Sequence, residues 1–219
     1  MKIVAAKSLL KANDQLAAAN RDALSAGGVL AVNLVGSPGC GKTTLLEALF
    51  ARLAGRLAPA VIEGDIAGSI DADRIGALGV PVVQINTEGA CHLDAIMIAA
   101  ALEGVDLGGL SLLVVENVGN LVCTAGFDLG EHLRVTVLSV AEGDDKVVKY
   151  PAIFQGADAV VVTKTDLAPL SNFRLERVAS DLRRLTPAAE LFPVSALSGE
   201  GVDALADWLA ARSLPQPAG

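Results

Sequence analysis

A chain of 219 residues is long enough for one α/β domain with a substantial core and short for two. Hydrophobic residues make up 52% of it, yet the longest apolar run, residues 95–102, falls far short of the roughly 18 needed to span a membrane, and Lys7 and Lys11 interrupt anything resembling a signal peptide. A net charge of −8 excludes a broad nucleic-acid surface, and three cysteines are too few for a disulfide framework, so a reduced, cytoplasmic protein is expected, free of nucleic acid and membrane.

Residues 8–24 are rich in helix formers and stop at Gly27 and Gly28, so residues 1–28 are expected to form a helical segment packed on the domain that follows. An apolar strand at 29–35 then leads into Gly36, Ser37, Pro38, Gly39, Cys40, Gly41, Lys42 and Thr43, which satisfy the phosphate-loop pattern G-x-x-x-x-G-K-S/T at every fixed position. An apolar pattern of helical period from Thr44 to Leu53 completes the strand, loop and helix that the motif requires. Glycines at 36, 39 and 41 let backbone N–H groups turn inward around a phosphate at the positive end of the helix. Lys42 is placed for the β- and γ-phosphates and Thr43 for Mg²⁺, with Cys40 and Thr44 completing the cradle; the Cys40 side chain reads as a small loop filler.

The strand at 59–65 ends in Glu63 and Asp65, where parallel α/β sheets place ligand-binding loops, which makes Asp65 a candidate Mg²⁺ partner. Residues 69–78 read as a helix with Ser69 as N-cap and Asp71 and Asp73 compensating its dipole. A strand at 80–85 is followed by a helix expected over 87–102, with Cys91 and His92 near its start. Residues 110–116 form a continuous apolar strand ending in Glu116, the form of a strand that supports Mg²⁺ through its last carboxylate. Glu116 to Gly119 has the spacing of the D-x-x-G switch with Glu for Asp, which would turn the Gly119 N–H toward a γ-phosphate; Asn120 to Gly126 reads as a mobile loop bearing Cys123.

Beyond a strand at 133–140 lies a stretch of acids and lysines, Glu142, Asp144, Asp145, Lys146 and Lys149, ahead of a helix. After a buried strand at 159–162, Thr163, Lys164, Thr165 and Asp166 match the guanine motif N/T-K-x-D. A carboxylate at Asp166 can accept both N1–H and N2–H₂ of guanine, whereas adenine presents an acceptor, and each buried acceptor left unpaired costs about 1–3 kcal/mol. The Lys164 stem would cover the purine, while Thr163 lacks the amide of the commoner Asn. Residues 171–185 form an arginine-studded helix, and after a strand at 190–194 Ser195 and Ala196 open an S-A-x loop whose Ala196 N–H would meet guanine O6. A closing helix at 201–211 buries Trp208, and residues 215–219 are expected to fray.

Strands alternating with helices give an α/β fold, a mainly parallel phosphate-loop NTPase sheet with helices on both faces, over residues 29–214. The guanine motif favours a GTPase over a small-molecule kinase or a metal scaffold with a vestigial nucleotide site. Lys42, Thr43, Asp65 and Glu116 are its expected catalytic and Mg²⁺-holding groups. Asn120 stands where some GTPases carry Gln, so intrinsic hydrolysis is expected to be slow and assisted by dimerisation or a partner.

The chain resembles the HypB family, GTPases of nickel–iron hydrogenase maturation. The resemblance runs through Gly36 to Thr44, Glu63 to Asp65, Gly89 to Leu93, Glu116 to Cys123, Glu142 to Lys146, Lys149 to Pro151 and Thr163 to Asp166. It implies a homodimer binding GTP or GDP with Mg²⁺, and a Ni²⁺ or Zn²⁺ site on Cys91, His92 and Cys123. The partners it implies are the nickel accessory protein HypA, SlyD and, indirectly, the hydrogenase large subunit. Some family members carry an N-terminal Cys-x-x-Cys or histidine-rich tract; with no Cys before Cys40 and no His before His92, nickel handling here is expected to rest on the G-domain site. Adjacent residues on a helix point about 100° apart. Cys91 and His92 are therefore not expected to chelate one ion readily together, and a site shared across a dimer axis is expected instead.

Overall fold

A computed structural model describes residues 6–66 and 68–217. Seven strands form one sheet: β1 (Leu30–Gly36), β2 (Pro59–Asp65), β3 (Val82–Asn86), β4 (Leu112–Glu116), β5 (Leu133–Ser139), β6 (Ala159–Thr163) and β7 (Glu190–Pro193). Their order is β3-β2-β4-β1-β5-β6-β7 and every pairing is parallel. Helices cover both faces, so β1, β4 and β6 are buried throughout, which is why they read as unbroken apolar runs.

The two-residue period of β1 sorts its side chains between two cores. Leu30, Val32 and Leu34 pack with α2 (Lys42–Leu53), α3 (Ile70–Gly76) and α8 (Val202–Ala210), where Trp208 is buried. On the other face Ala31 joins α1 (Ala6–Ala26) and α4 (Ala95–Leu102), while Val35 joins α5 (Lys146–Lys149), α6 (Pro151–Gln155) and α7 (Leu175–Leu185). The chain leaves β1 toward one edge and returns to the other side of it, so the order reverses at β1, and ligand crevices of such sheets lie at that reversal.

Four local expectations change. The helix expected over 87–102 begins at Ala95, because the Asp94 carboxylate caps it by accepting the Met97 N–H at 2.9 Å. Residues 87–90 form a turn instead, closed by the Thr87 hydroxyl donating to Ala90 O at 2.8 Å, with Gly89 at φ +106°. Ser69 occupies the N-cap of α3, but its hydroxyl donates to the Asp73 carboxylate at 3.1 Å rather than capping the backbone. Within the tail, Gln216 donates to Gly28 O at 3.0 Å, so this part is tied down; residues 218 and 219 lie outside the described residues, as do the first five. The segment expected to be a mobile loop after Asn120 contains a 3-10 turn, Cys123–Gly126, built by hydrogen bonds described below. Among the described residues no helix is long and apolar enough to cross a membrane.

Candidate nucleotide cleft and metal centre

The glycine loop leaves the C-terminal end of β1 and closes on α2, with Gly39 and Gly41 at positive φ. At Gly36 a Cβ would lie 2.7 Å from Val137 O and 2.8 Å from Cys40 Sγ, so the loop's first turn leaves no room for a side chain. Cys40 is fully buried beneath the loop, and burial pushes its thiol up to about 11, in keeping with a space-filling neutral group. Above the loop lies a cleft of about 440 Å³ to which Gly39, Gly41, Lys42, Thr43, Thr44, Asp65, Glu116, Gly119 and Lys164 all contribute. The Thr44 hydroxyl accepts from Arg74 at 2.9 Å; Arg74, on the cleft wall, also pairs with Glu47 and Asp71 and was not singled out from sequence.

On the cleft floor the Thr43 hydroxyl donates to Glu116 Oε1 at 2.8 Å. Glu116 Oε2 has no hydrogen-bond partner, and neither has Oε2 of Glu63, which stands opposite Glu116 in the β2/β4 register. Burial raises both carboxyls; Lys42 and the Thr43 hydroxyl pull Glu116 back down, while Glu116 and Asp65 help drive Glu63 to about 8. The Asp65 carboxylate is fixed by the N–H groups of Ile66 at 2.7 Å and Gly68 at 2.9 Å. Two orphaned buried carboxylate oxygens beside a threonine hydroxyl and a further carboxylate are a hard oxygen donor set, which fits Mg²⁺. Sequence reasoning did not count Glu63 among the site residues, although an acid two positions before Asp65 in an otherwise apolar strand is a readable signal.

The switch segment lies directly on the phosphate loop. Asn120 N donates to Gly36 O at 2.9 Å, and a Cβ on Gly119 would sit 2.8 Å from Pro38 N and Cα. The Asn120 side-chain oxygen accepts from Val122 N at 2.7 Å and Cys123 N at 2.9 Å, and Asn120 O accepts the Thr124 hydroxyl at 2.6 Å. Asn120 is thus committed to building the turn that carries Cys123.

Three loops meet beside the cleft at the expected base site. Thr163 uses its hydroxyl to bond Cys40 O at 2.6 Å, Lys164 adopts a left-handed backbone (φ 58°) and donates to Gly39 O at 2.8 Å, and the Ser195 hydroxyl donates to Asp166 Oδ1 at 2.6 Å. Ala196 follows Ser195 in the chain, and neither is among the residues lining the cleft. The threonine in place of asparagine therefore ties β6 to the phosphate loop, and the serine orients the carboxylate.

Cys91, His92 and Cys123 converge so that one ligand atom from each lies within 4.8 Å of the others. Cys91 Sγ is 3.7 Å from His92 Nδ1, and the His92 ring stacks on Phe127 at 3.9 Å. The Cys91 thiol beside it raises the Cys123 thiol. Because Cys91 and His92 precede α4 instead of riding on it, the 100° divergence does not apply: a single chain brings the three donors together, and the reason for expecting a shared dimer-axis site falls away. Two thiols and an imidazole are soft donors that suit Ni²⁺ or Zn²⁺ rather than Mg²⁺.

The family model for the CobW/HypB/UreG nucleotide-binding domain matches residues 30–193. The hydrogenase maturation factor HypB of Escherichia coli (strain K12) is 48% identical over 201 residues, spanning 92% of this chain and 69% of that protein. A probable HypB of Methanocaldococcus jannaschii is 42% identical over 204 residues, spanning 93% of this chain and 92% of that one. The crystal structure of HypB from Helicobacter pylori in complex with nickel superposes with a TM-score of 0.88 at 36% identity, over 95% of this chain and all of that one. HypB from Archaeoglobus fulgidus gives 0.86 at 38%, over 92% and 98%. Phosphate loop, all-parallel sheet and overall similarity agree, and the chain belongs to the CobW/HypB/UreG family, among its HypB hydrogenase maturation factors.

Proposed function

We propose that this chain is a Mg²⁺-dependent GTPase whose nucleotide state governs a nickel or zinc site, and that it serves nickel delivery to nickel–iron hydrogenase. One observation carries the reading: a single short segment runs from Glu116 on the cleft floor, past Gly119 against the phosphate loop, to Cys123 in the thiol and imidazole cluster. The relatives named as hydrogenase maturation factors, one of them in complex with nickel, support it.

In this reading the loop N–H groups, Lys42 and the Gly119 N–H bind the β- and γ-phosphates and offset the charge that develops as water attacks the γ-phosphorus in line and GDP departs. Thr43, Asp65 and Glu116, with Glu63 beside them, would hold Mg²⁺, which would supply positive charge against the phosphates. Asp166, oriented by Ser195, reads guanine N1–H and N2–H₂, with Lys164 over the ring and Ala196 N–H toward O6. The Asn120 side-chain oxygen is spent on its own turn and so does not position the attacking water, and turnover is slow until a second copy or a partner supplies a group that does. The working unit is a cytoplasmic homodimer that exchanges nickel with HypA, with SlyD assisting, and reaches the hydrogenase large subunit indirectly.

Competition between GTP and ATP tests the base assignment: GTP should win in the unmodified protein, and Asp166→Asn should narrow the gap. Equal competition before any substitution overturns the GTPase reading.

A further inference from the structure

The three candidate metal donors stand on two separate arms, Cys91 and His92 on the approach to α4 and Cys123 on the turn after β4, and the long helix α1 lies across both. Two buried asparagines on one face of α1, seven residues apart, each bond both arms. Asn13 Oδ1 accepts from Ala95 N at 3.0 Å while its Nδ2 donates to Asp128 O at 2.8 Å. Asn20 Nδ2 donates to Ala95 O at 3.0 Å and to Leu129 O at 3.1 Å. Ala95 lies three residues past His92, and Asp128 adjoins Phe127, whose ring stacks on His92. Each asparagine therefore spans the shoulders of the cluster with one side chain.

Further contacts hold the helix close. Arg21 pairs with Asp128 at 2.7 Å and donates to Glu131 O at 3.0 Å. At Gly130 a Cβ would meet Ala17 O and Asn20 Cβ at 2.6 Å, so only a glycine lets α1 lie this near the second arm. Attachment of the helix alone needs none of these amides, since Leu24 and Ala17 already bury apolar surface from the same face. Asn13 and Asn20 are 6% and 5% exposed, so both polar atoms of the Asn13 amide and the Nδ2 of Asn20 find these backbone groups as partners away from water.

We infer that α1 is a brace that fixes the separation of the two arms, and that Asn13 and Asn20 are positioning residues for the Cys91, His92 and Cys123 metal centre. The inference rests on the proposed assignment of that centre. Outer-shell groups that orient ligands typically change metal affinity by about 10–100-fold when removed.

The test is a titration of the full chain with Ni²⁺, and with Co²⁺ as a spectroscopic probe, following the thiolate-to-metal charge-transfer band alongside GDP affinity and Tm. Asn20→Asp keeps the shape but cannot donate to two carbonyls; it should weaken metal binding by about tenfold or more and alter the band, with GDP affinity unchanged. Asn13→Asp retains acceptance from Ala95 N and loses only the Asp128 bond, so a smaller effect of the same sign is expected, and it serves if the first variant does not fold. Leu24→Ala loosens the same helix without removing either bridge and should lower Tm while leaving the metal Kd and band in place. Folded asparagine variants with unaltered metal affinity and spectrum, or an equal loss in Leu24→Ala, overturn the brace. An unmodified protein whose metal binding is indifferent to Cys91→Ala and Cys123→Ala overturns the metal centre itself, and the brace with it.

Discussion

The side-chain oxygen of Asn117 accepts the backbone N–H of Leu93 at 3.2 Å, so the residue next to Glu116 grips the chain one position past His92. The same oxygen accepts Val118 N at 2.9 Å, and the Asn117 amide donates to Asn33, which in turn donates to Glu131. The proposed metal centre is thus tied to the nucleotide cleft twice, through the chain to Cys123 and through this buried amide to His92. Allosteric couplings between sites usually amount to about 5–150-fold in affinity. Asn117→Ala should bring the ratio of Ni²⁺ affinities in the GDP and GTP-analogue states closer to one, while each ligand still binds. Calorimetric titration in both states checks this, and an undiminished ratio would show that the Cys123 route suffices.

Glu116→Gln separates cation binding from folding. The amide oxygen can still accept the Thr43 hydroxyl, but the charge that would face Mg²⁺ is gone. We expect Mg²⁺-dependent hydrolysis to fall by about 10²-fold or more, a loss comparable to that of a preorganised charge-stabilising group. Since burial already penalises this carboxylate, the metal-free variant should melt no lower than the unmodified protein. A marked drop in Tm would mean that Glu116 is held for the fold.

Much of this was legible in the sequence because it is local. The glycine loop, the apolar strand ending in Glu116 and the Thr163 to Asp166 motif each lie within a few residues, and the cleft assembles from them. The start of α4 was misplaced because an apolar period extends only from Ala95, while Thr87 and Asp94 are both acceptable caps; the turn at Gly89 decides between them. That one boundary inverted the argument about Cys91 and His92. Asn13, Asn20, Asn33 and Asn117 leave no signature, since a lone asparagine becomes informative only through partners far along the chain, such as Asp128 for Asn13.

His132 gives a pH dependence independent of the site. Its Nδ1 accepts Ala31 N at 2.9 Å and its Nε2 lies 2.9 Å from the Ser25 hydroxyl, so the folded protein holds the neutral ring. Burial, aided by Arg21, lowers its pKa below the ordinary 6.5, with Glu131 opposing. The stability this contributes is complete above 6.5 and is lost as pH falls below it, because the unfolded chain takes up the proton first. His132→Asn keeps an acceptor near Nδ1 and cannot titrate, so its Tm should fall less between pH about 7.5 and about 5.5. Parallel melting curves for the two proteins would remove His132 as the cause.

Cys123→Ala removes one of three donors while touching nothing in the cleft. Its effect on Ni²⁺ affinity should at least equal the roughly 10–100-fold typical for loss of an outer-shell partner, with GDP affinity retained. Unchanged Ni²⁺ affinity, measured against a chelator, would assign the metal to other residues.

Gly119→Ala probes the switch where it leans on the phosphate loop. The new methyl would meet Pro38 N and Cα at 2.8 Å, and because these are backbone atoms the contact can be relieved only by moving one segment off the other. Pro38 belongs to the loop that wraps the phosphates, whereas residues 120–123 are held to one another by the bonds Asn120 makes to Val122 N and Cys123 N, so the switch should be the part that yields, and as a unit. The Gly119 N–H then loses its approach to the γ-phosphate, and Asn120 N its bond to Gly36 O. GDP, which has no γ-phosphate, should bind as before, while the preference for a GTP analogue over GDP shrinks and hydrolysis falls. Displacement of the same unit carries Cys123 away from Cys91 and His92, so Ni²⁺ affinity should drop even without nucleotide, although the substitution lies outside the metal cluster. A variant that loses GTP preference but keeps its nucleotide-free Ni²⁺ affinity would show that the segment from Gly119 to Cys123 does not move as one body.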